Sequence, residues 1–277
     1  MRFLLVLVLV AGCAAKPKCE VQPVPASARD GAFLWRATKG EDVLWLYGTI
    51  HDAGLEAVPP GALKALDTAA RLVSELGNDE PDRDTFRELA RIAAGPGIDQ
   101  QLPASDWYDL RDALLGVIKE DDLRRAQPWY AMTLLTTHLT PGGGPSMDVL
   151  LAKRAADAGK PVEPLESWRE QLTALQGAVG IADLQQAIHA RASMRCDLER
   201  LRRAYEAGDT RTMEALLVIP QTEATMLTAR NTKWLPALEG YKGSTFVAVG
   251  LGHLLGTHGL PVLLRRDGYA VERVGGP

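Results

Sequence analysis

Six polar residues stand where chemistry could be done: His51, Glu75, Glu166, Arg230, Asn231 and His253. The two histidines are set alike. In VLWLYGTIHDAG (43–54) an apolar run stops at Gly48 and His51 follows three residues on; in STFVAVGLGHLLG (244–256) a similar run stops at Gly250 and His253 follows at the same distance. Glu75 closes the short apolar segment RLVSEL (71–76), and Glu166 closes PVEPLE (161–166). Two imidazoles and one or two carboxylates converging on a pocket are the ingredients of a catalytic divalent-metal site that keeps a position for water. Coordination brings the pKa of that water near neutrality, and a spare glutamate takes its proton. Arg230, in TARNTKW, suits an anchor for a substrate carboxylate or a developing oxyanion, or else a core-bridging cation, with Asn231 beside it as cap or support.

These residues need elements to carry them. FLWRATKGEDVLWLYG reads as two strands joined by the polar turn T-K-G-E-D. Short strands follow at 71–76, 161–166, TFVAVG and YAVERV, and helical periodicity covers 60–70, 82–94, 105–118, 120–126, 168–179, 183–207, 210–217 and 221–239. Pro128 opens a further helix that P-G-G-G-P (141–145) ends; another runs from Ser146 to Gly159, and the last covers LPVLLRRDG. The long 183–207 segment carries one apolar stripe through Leu184, Ala187, Met194, Leu198, Leu201 and Tyr205. Strands and helices alternate at both ends while the middle is mostly helix. The fold class is therefore α/β, with a central mixed, largely parallel sheet, flanking helices and an inserted helical layer or cap. Ligands of open α/β sheets gather beyond the carboxyl ends of the strands, where His51, Glu75, Glu166 and His253 all fall. Glycine lets the chain leave the sheet sharply and delivers the histidine to that rim.

Other candidates have plainer readings. Asp148 sits in the first turn of a helix, where its charge complements the helix dipole. His138 and His189 read as structural or exposed, and His258, in G-T-H-G-L-P, is a third imidazole only if its loop turns toward the rim.

The N-terminus speaks to compartment. Arg2, the apolar run Phe3–Val10 and V-A-G-C (10–13) form a processing signal too short to span a bilayer as a helix. V-A-G-C resembles a bacterial lipobox, which implies cleavage before Cys13 and lipidation of that cysteine; Ala14 in place of aspartate implies the outer membrane. The chain thus divides into a signal peptide (1–12), a lipidated, proline-rich tether (13–30) and a domain (31–277), facing the periplasm and held to the membrane by its lipid. Cys19 and Cys196 either pair, as an oxidising compartment allows, or remain a free thiol and a small buried residue. A net charge of −4 gives no footprint for nucleic acid. At 46% hydrophobic and 24% charged, the composition is that of a globular protein rather than a disordered one.

L-W-R, W-L-Y-G-T-I-H, L-V-S-E-L, P-W-Y, M-D, P-V-E-P-L-E-S, A-R-N-x-x-W, V-A-V-G-L-G-H-L-L-G and G-Y-x-V-x-R-V occur in that order over roughly 31–275. This ordered set resembles the TraB/GumN family, which includes the Tiki proteases and is distantly related to erythromycin-esterase-like and ChaN-like proteins. The resemblance implies a site on His51, Glu75, Arg230 and His253. It implies a metal-dependent hydrolase of peptide bonds in which His51, Glu75 and His253 hold Mn²⁺, Co²⁺ or Zn²⁺, Glu166 serves as base or fourth ligand, and Arg230 with Asn231 positions a peptide or protein substrate. Three rivals keep the same rim: an esterase-like hydrolase in which histidine and glutamate activate water without metal, an iron- or haem-binding protein, and a catalytically inactive member. The sequence departs from the family's E-L-D at Gly77, which follows Glu75-Leu76 and bears on activity.

Overall fold

The computed structural model describes residues 19, 32–51, 53–77, 80–139 and 145–274. The signal segment, Cys13 and the tether apart from Cys19 lie outside the described residues.

Two strands, β1 (Leu34–Lys39) and β2 (Asp42–Thr49), form the expected hairpin, with Lys39 opposite Asp42 and Gly40 at φ +63° in the tight turn. Strands β3 (Arg71–Ser74), β4 (Val162–Pro164), β5 (Ser244–Gly250) and β6 (Ala270–Arg273) complete a six-stranded sheet of order β4-β3-β5-β2-β1-β6. β4, β3, β5 and β2 run parallel, whereas β1 is antiparallel to both neighbours. Burial explains the strand sequences. β5, central and covered on both faces, is apolar from Phe246 to Val249 and fully buried there, while β2 alternates at its start and becomes buried throughout from Leu46.

Parallel neighbours require crossovers, and helices supply them. α1 (Pro60–Thr68) joins β2 to β3. Between β3 and β4 lie α2 (Arg83–Ala90), α3 (Ile98–Gln101), α4 (Ala104–Ala113), α5 (Glu120–Arg124), α6 (Pro128–Leu139) and α7 (Met147–Asp157). Between β4 and β5 come α8 (Trp168–Ala178), α9 (Ile181–Ala190), α10 (Met194–Ala207), α11 (Thr210–Leu217), α12 (Pro220–Thr222) and α13 (Ala229–Gly240), with a π-helical turn, Glu223–Thr228, fused to α13. α14 (Leu260–Arg266) returns the chain to β6. The insertion has a core of its own, built on Ile98, Trp107, Leu110, Leu123, Leu135 and Ile188, separate from the sheet core.

The 183–207 segment is not one helix. The chain turns at Arg191–Ser193, where Arg191 caps the carbonyl of Ile188 and the Ser193 hydroxyl meets Ala190 and Asp197. The apolar stripe is therefore split: Leu184 and Ala187 pack in the helical core, and Leu201 and Tyr205 in the sheet core. Periodicity survives such a turn because it reports which side is buried, not whether the axis continues. A disulfide joins Cys19 to Cys196 at the start of α10, choosing the paired alternative.

Gly48 has a specific packing reason. A β-carbon there would lie 2.5 Å from Leu251 Cδ1 and 3.2 Å from Leu251 Cα, so the residue after β5 rests directly on the backbone of β2. Tyr205 pins the same strand end, its hydroxyl 2.7 Å from the Gly48 carbonyl and 2.8 Å from the Tyr47 hydroxyl. Gly48→Ala is expected to destabilise the protein by about 1–3 kcal/mol through this overpacking, measured by urea unfolding; an unchanged midpoint would mean that Leu251 yields without cost.

Candidate functional site

Strand register brings the candidates together. Thr49 pairs with Gly250 and Ser74 with both Ala248 and Pro164, so the carboxyl ends of β2, β5, β3 and β4 share one rim. The Glu166 amide donates to the Glu75 carbonyl at 3.0 Å, tying the two glutamates together at the backbone.

Arg230, at the start of α13, reaches into the middle of this rim and is only 7% exposed. Its Nε donates to both Glu166 oxygens at 3.1 Å, and Nη2 donates to Glu166 Oε1 at 2.5 Å and Glu75 Oε2 at 2.6 Å. Nη1 donates to the Met226 carbonyl and to His253 Nε2, both at 3.0 Å. Guanidinium has five N–H bonds, and all five are engaged here. The guanidinium carbon also sits 4.7 Å from the Trp234 ring, one helical turn along.

Asn231 fixes the tautomer of His253. Its Nδ2 donates to the backbone carbonyls of His253 (3.1 Å) and His258 (2.8 Å), which leaves Oδ1 to accept from His253 Nδ1 at 2.7 Å. His253 is therefore the neutral Nδ1–H form, with the Nε2 lone pair turned to Arg230. Burial pushes its pKa down to about 4; Glu75 opposes that shift and Arg230 adds to it. For Glu75, burial alone favours the neutral acid, but His253, Arg230 and the Gly250 amide at 2.8 Å outweigh it and hold the pKa down to about 2. His253 is itself uncharged at neutral pH, so the lasting pull comes from Arg230 and the amide. Gln171, on α8, donates to the other Glu75 oxygen at 3.0 Å.

His51 belongs to a second group on the same rim. Its side chain is 88% exposed, and Nδ1 lies 3.4 Å from Asp148 Oδ2. Asp148 Oδ1 accepts from the Thr49 hydroxyl at 2.5 Å. Asp148 raises the pKa of His51, and the more distant charge of Glu75 adds to the rise. The first-turn aspartate of α7, legible as a dipole partner, is thus also the carboxylate behind a rim histidine. His258 keeps its imidazole outside, facing Glu223 at 3.4 Å, and contributes only its carbonyl. Gly77 adopts φ +66° and its amide donates to Ser74 Oγ at 3.1 Å; this left-handed turn favours glycine over the family's aspartate.

The metal triad implied by resemblance does not fit this arrangement. The Nε2 lone pair of His253 accepts from Arg230, and both Glu75 oxygens and both Glu166 oxygens are already bonded. Arg230 supplies the positive charge that a cation would bring, while His51 faces Asp148. Among the described residues no three His, Cys, Asp or Glu side chains form a metal-ligand group.

The fold is a largely parallel α/β sheet with ionisable side chains collected past its carboxyl edge, the place where ligands of such sheets gather. The model of the TraB/PrgY/gumN family matches residues 33–273, and the chain belongs to that family. No curated protein and no solved structure gives a significant match.

The two perturbed groups set a pH dependence. A folded pKa near 4 for His253, below its ordinary 6.5, means that the unfolded chain binds the proton first, so stability is lost as pH falls from about 6.5 to 4. Glu75 continues the loss from 4.5 toward about 2. Urea unfolding at a series of pH values is expected to show this decline, and His253→Gln to flatten its upper part; an identical slope in the variant would remove His253 as its source.

Proposed function

We propose that this protein is an envelope hydrolase of acyl bonds, peptide bonds foremost, in which His51 activates water with Asp148 behind it. The observation that carries the reading is the Thr49–Asp148–His51 string beside the ionised Glu75. Asp148 faces Nδ1 and orients the ring, so Nε2 points away from it and takes the proton of an attacking water. The imidazolium that forms is stabilised by Asp148 and by the field of Glu75, and it returns the proton to the leaving group. At 3.4 Å the His51–Asp148 contact is long for a hydrogen bond, as catalytic pairs often are before substrate closes them. Arg230 organises Glu75 and His253 rather than touching substrate.

The test is hydrolysis of p-nitrophenyl acetate and a quenched peptide library, with and without chelator. His51→Ala is expected to lower kcat/KM by about 100-fold or more. Because the base must be unprotonated, activity should rise with pH through an apparent pKa above 6.5. Asp148→Asn should move that limb downward as well as slow the reaction. Chelator-sensitive activity restored by Mn²⁺ or Co²⁺ would replace this reading with the metal-dependent one, and His51→Ala acting like wild type would end it.

The compartment forms part of the same proposal: a lipoprotein cleaved before Cys13 and facing the periplasm, anchored in the outer membrane. The Cys19–Cys196 disulfide supports an oxidising environment. Mass spectrometry of protein from its native host is expected to find Cys13 as the acylated first residue, and an intact Met1 would refute the anchor.

A further inference from the structure

The helical insertion holds an open cavity of about 600 Å³, within the size range of small-molecule sites. Its wall bears a row of guanidinium groups. Arg83 and Arg87 lie four residues apart on α2, which sets them along one face, and Arg91, the extended residue that ends that helix, lines the same cavity. Arg125 joins them from across the gap, held in place by the carbonyls of Gly95 and Ile92.

These charges are poorly compensated. Asp122 is the one carboxylate among the described lining residues, and it meets Arg91 at 3.2 Å with both side chains 53% exposed. Arg87 meets Asp84 at 3.0 Å in a pair more exposed still, and such pairs contribute little. Arg83 has no carboxylate partner among the described residues. A wall that carries four guanidinium groups against one carboxylate concentrates anions.

The rest of the lining is apolar. Phe86 and Tyr130 stand edge to face, with centroids 5.3 Å apart at 89°, and Ile118 and Pro81 flank them. Planar guanidinium and aromatic groups favour a planar partner. We propose that this cavity binds a small organic anion: a phosphate, sulfonate or carboxylate carried on a flat apolar ring. The anion meets the Arg83–Arg87–Arg91 row and the ring lies against Phe86 and Tyr130.

Calorimetric titration of the folded protein with 2-naphthalenesulfonate, 2-naphthol and sulfate separates the two halves of this recognition. The sulfonate is expected to bind at least tenfold more tightly than either of the others, and less tightly as salt is raised. Arg83→Gln with Arg87→Gln, both at exposed positions, should weaken it at least tenfold without changing the melting temperature. No binding by any of the three, equal binding by all, or undiminished binding in the double variant would overturn the proposal.

Discussion

The Arg230 guanidinium is the interaction on which the arrangement of the rim depends. It joins the end of β3 through Glu75, the end of β4 through Glu166 and the turn after β5 through His253, all from α13. Burying one cation with two carboxylates is seldom a source of net stability, because desolvation of each ion offsets their attraction. What it secures is position: every N–H has an acceptor inside the protein, so displacement of any strand end leaves a buried group unpaired. The π-helical turn at Glu223–Thr228 serves the same end. An extra residue in the turn shifts the phase of the helix, and the Met226 carbonyl, within that turn, accepts from Arg230.

Much of this was legible in the sequence, for a reason specific to parallel sheets. Their strands are short, apolar and sharply ended, so a polar residue just past such a run is on the rim almost wherever the strand lies in the order. Glu75, Glu166, His51 and His253 were placed that way. Asp148 was not, because an acidic residue in a helix's first turn already has a sufficient local explanation. Gln171 belongs to α8 and reaches Glu75 only through the tertiary fold. The break at Arg191–Ser193 was hidden because the same buried face continues on both sides of the turn. Nor does the sequence say that Arg230 spends all its hydrogen bonds inside the protein; that follows from four separate segments meeting around it.

The two G-x-x-H segments show how far a motif is from a chemical role. Each follows a parallel strand, and the strands are neighbours with Thr49 opposite Gly250. Yet one imidazole is 88% exposed beside Asp148 with its pKa raised, and the other is buried against Trp234, 4.4 Å between ring centres, with its pKa pushed down to about 4. The first is open to solvent and can exchange a proton there. The second is held uncharged, its Nδ1–H given to Asn231 and its lone pair to Arg230, so it acts as a fixed acceptor that helps set the guanidinium and, through it, Glu75. Identical spacing delivers both side chains to one edge of the sheet; what lies behind each ring, a carboxylate in one case and a guanidinium in the other, decides which of them is free to do acid–base work.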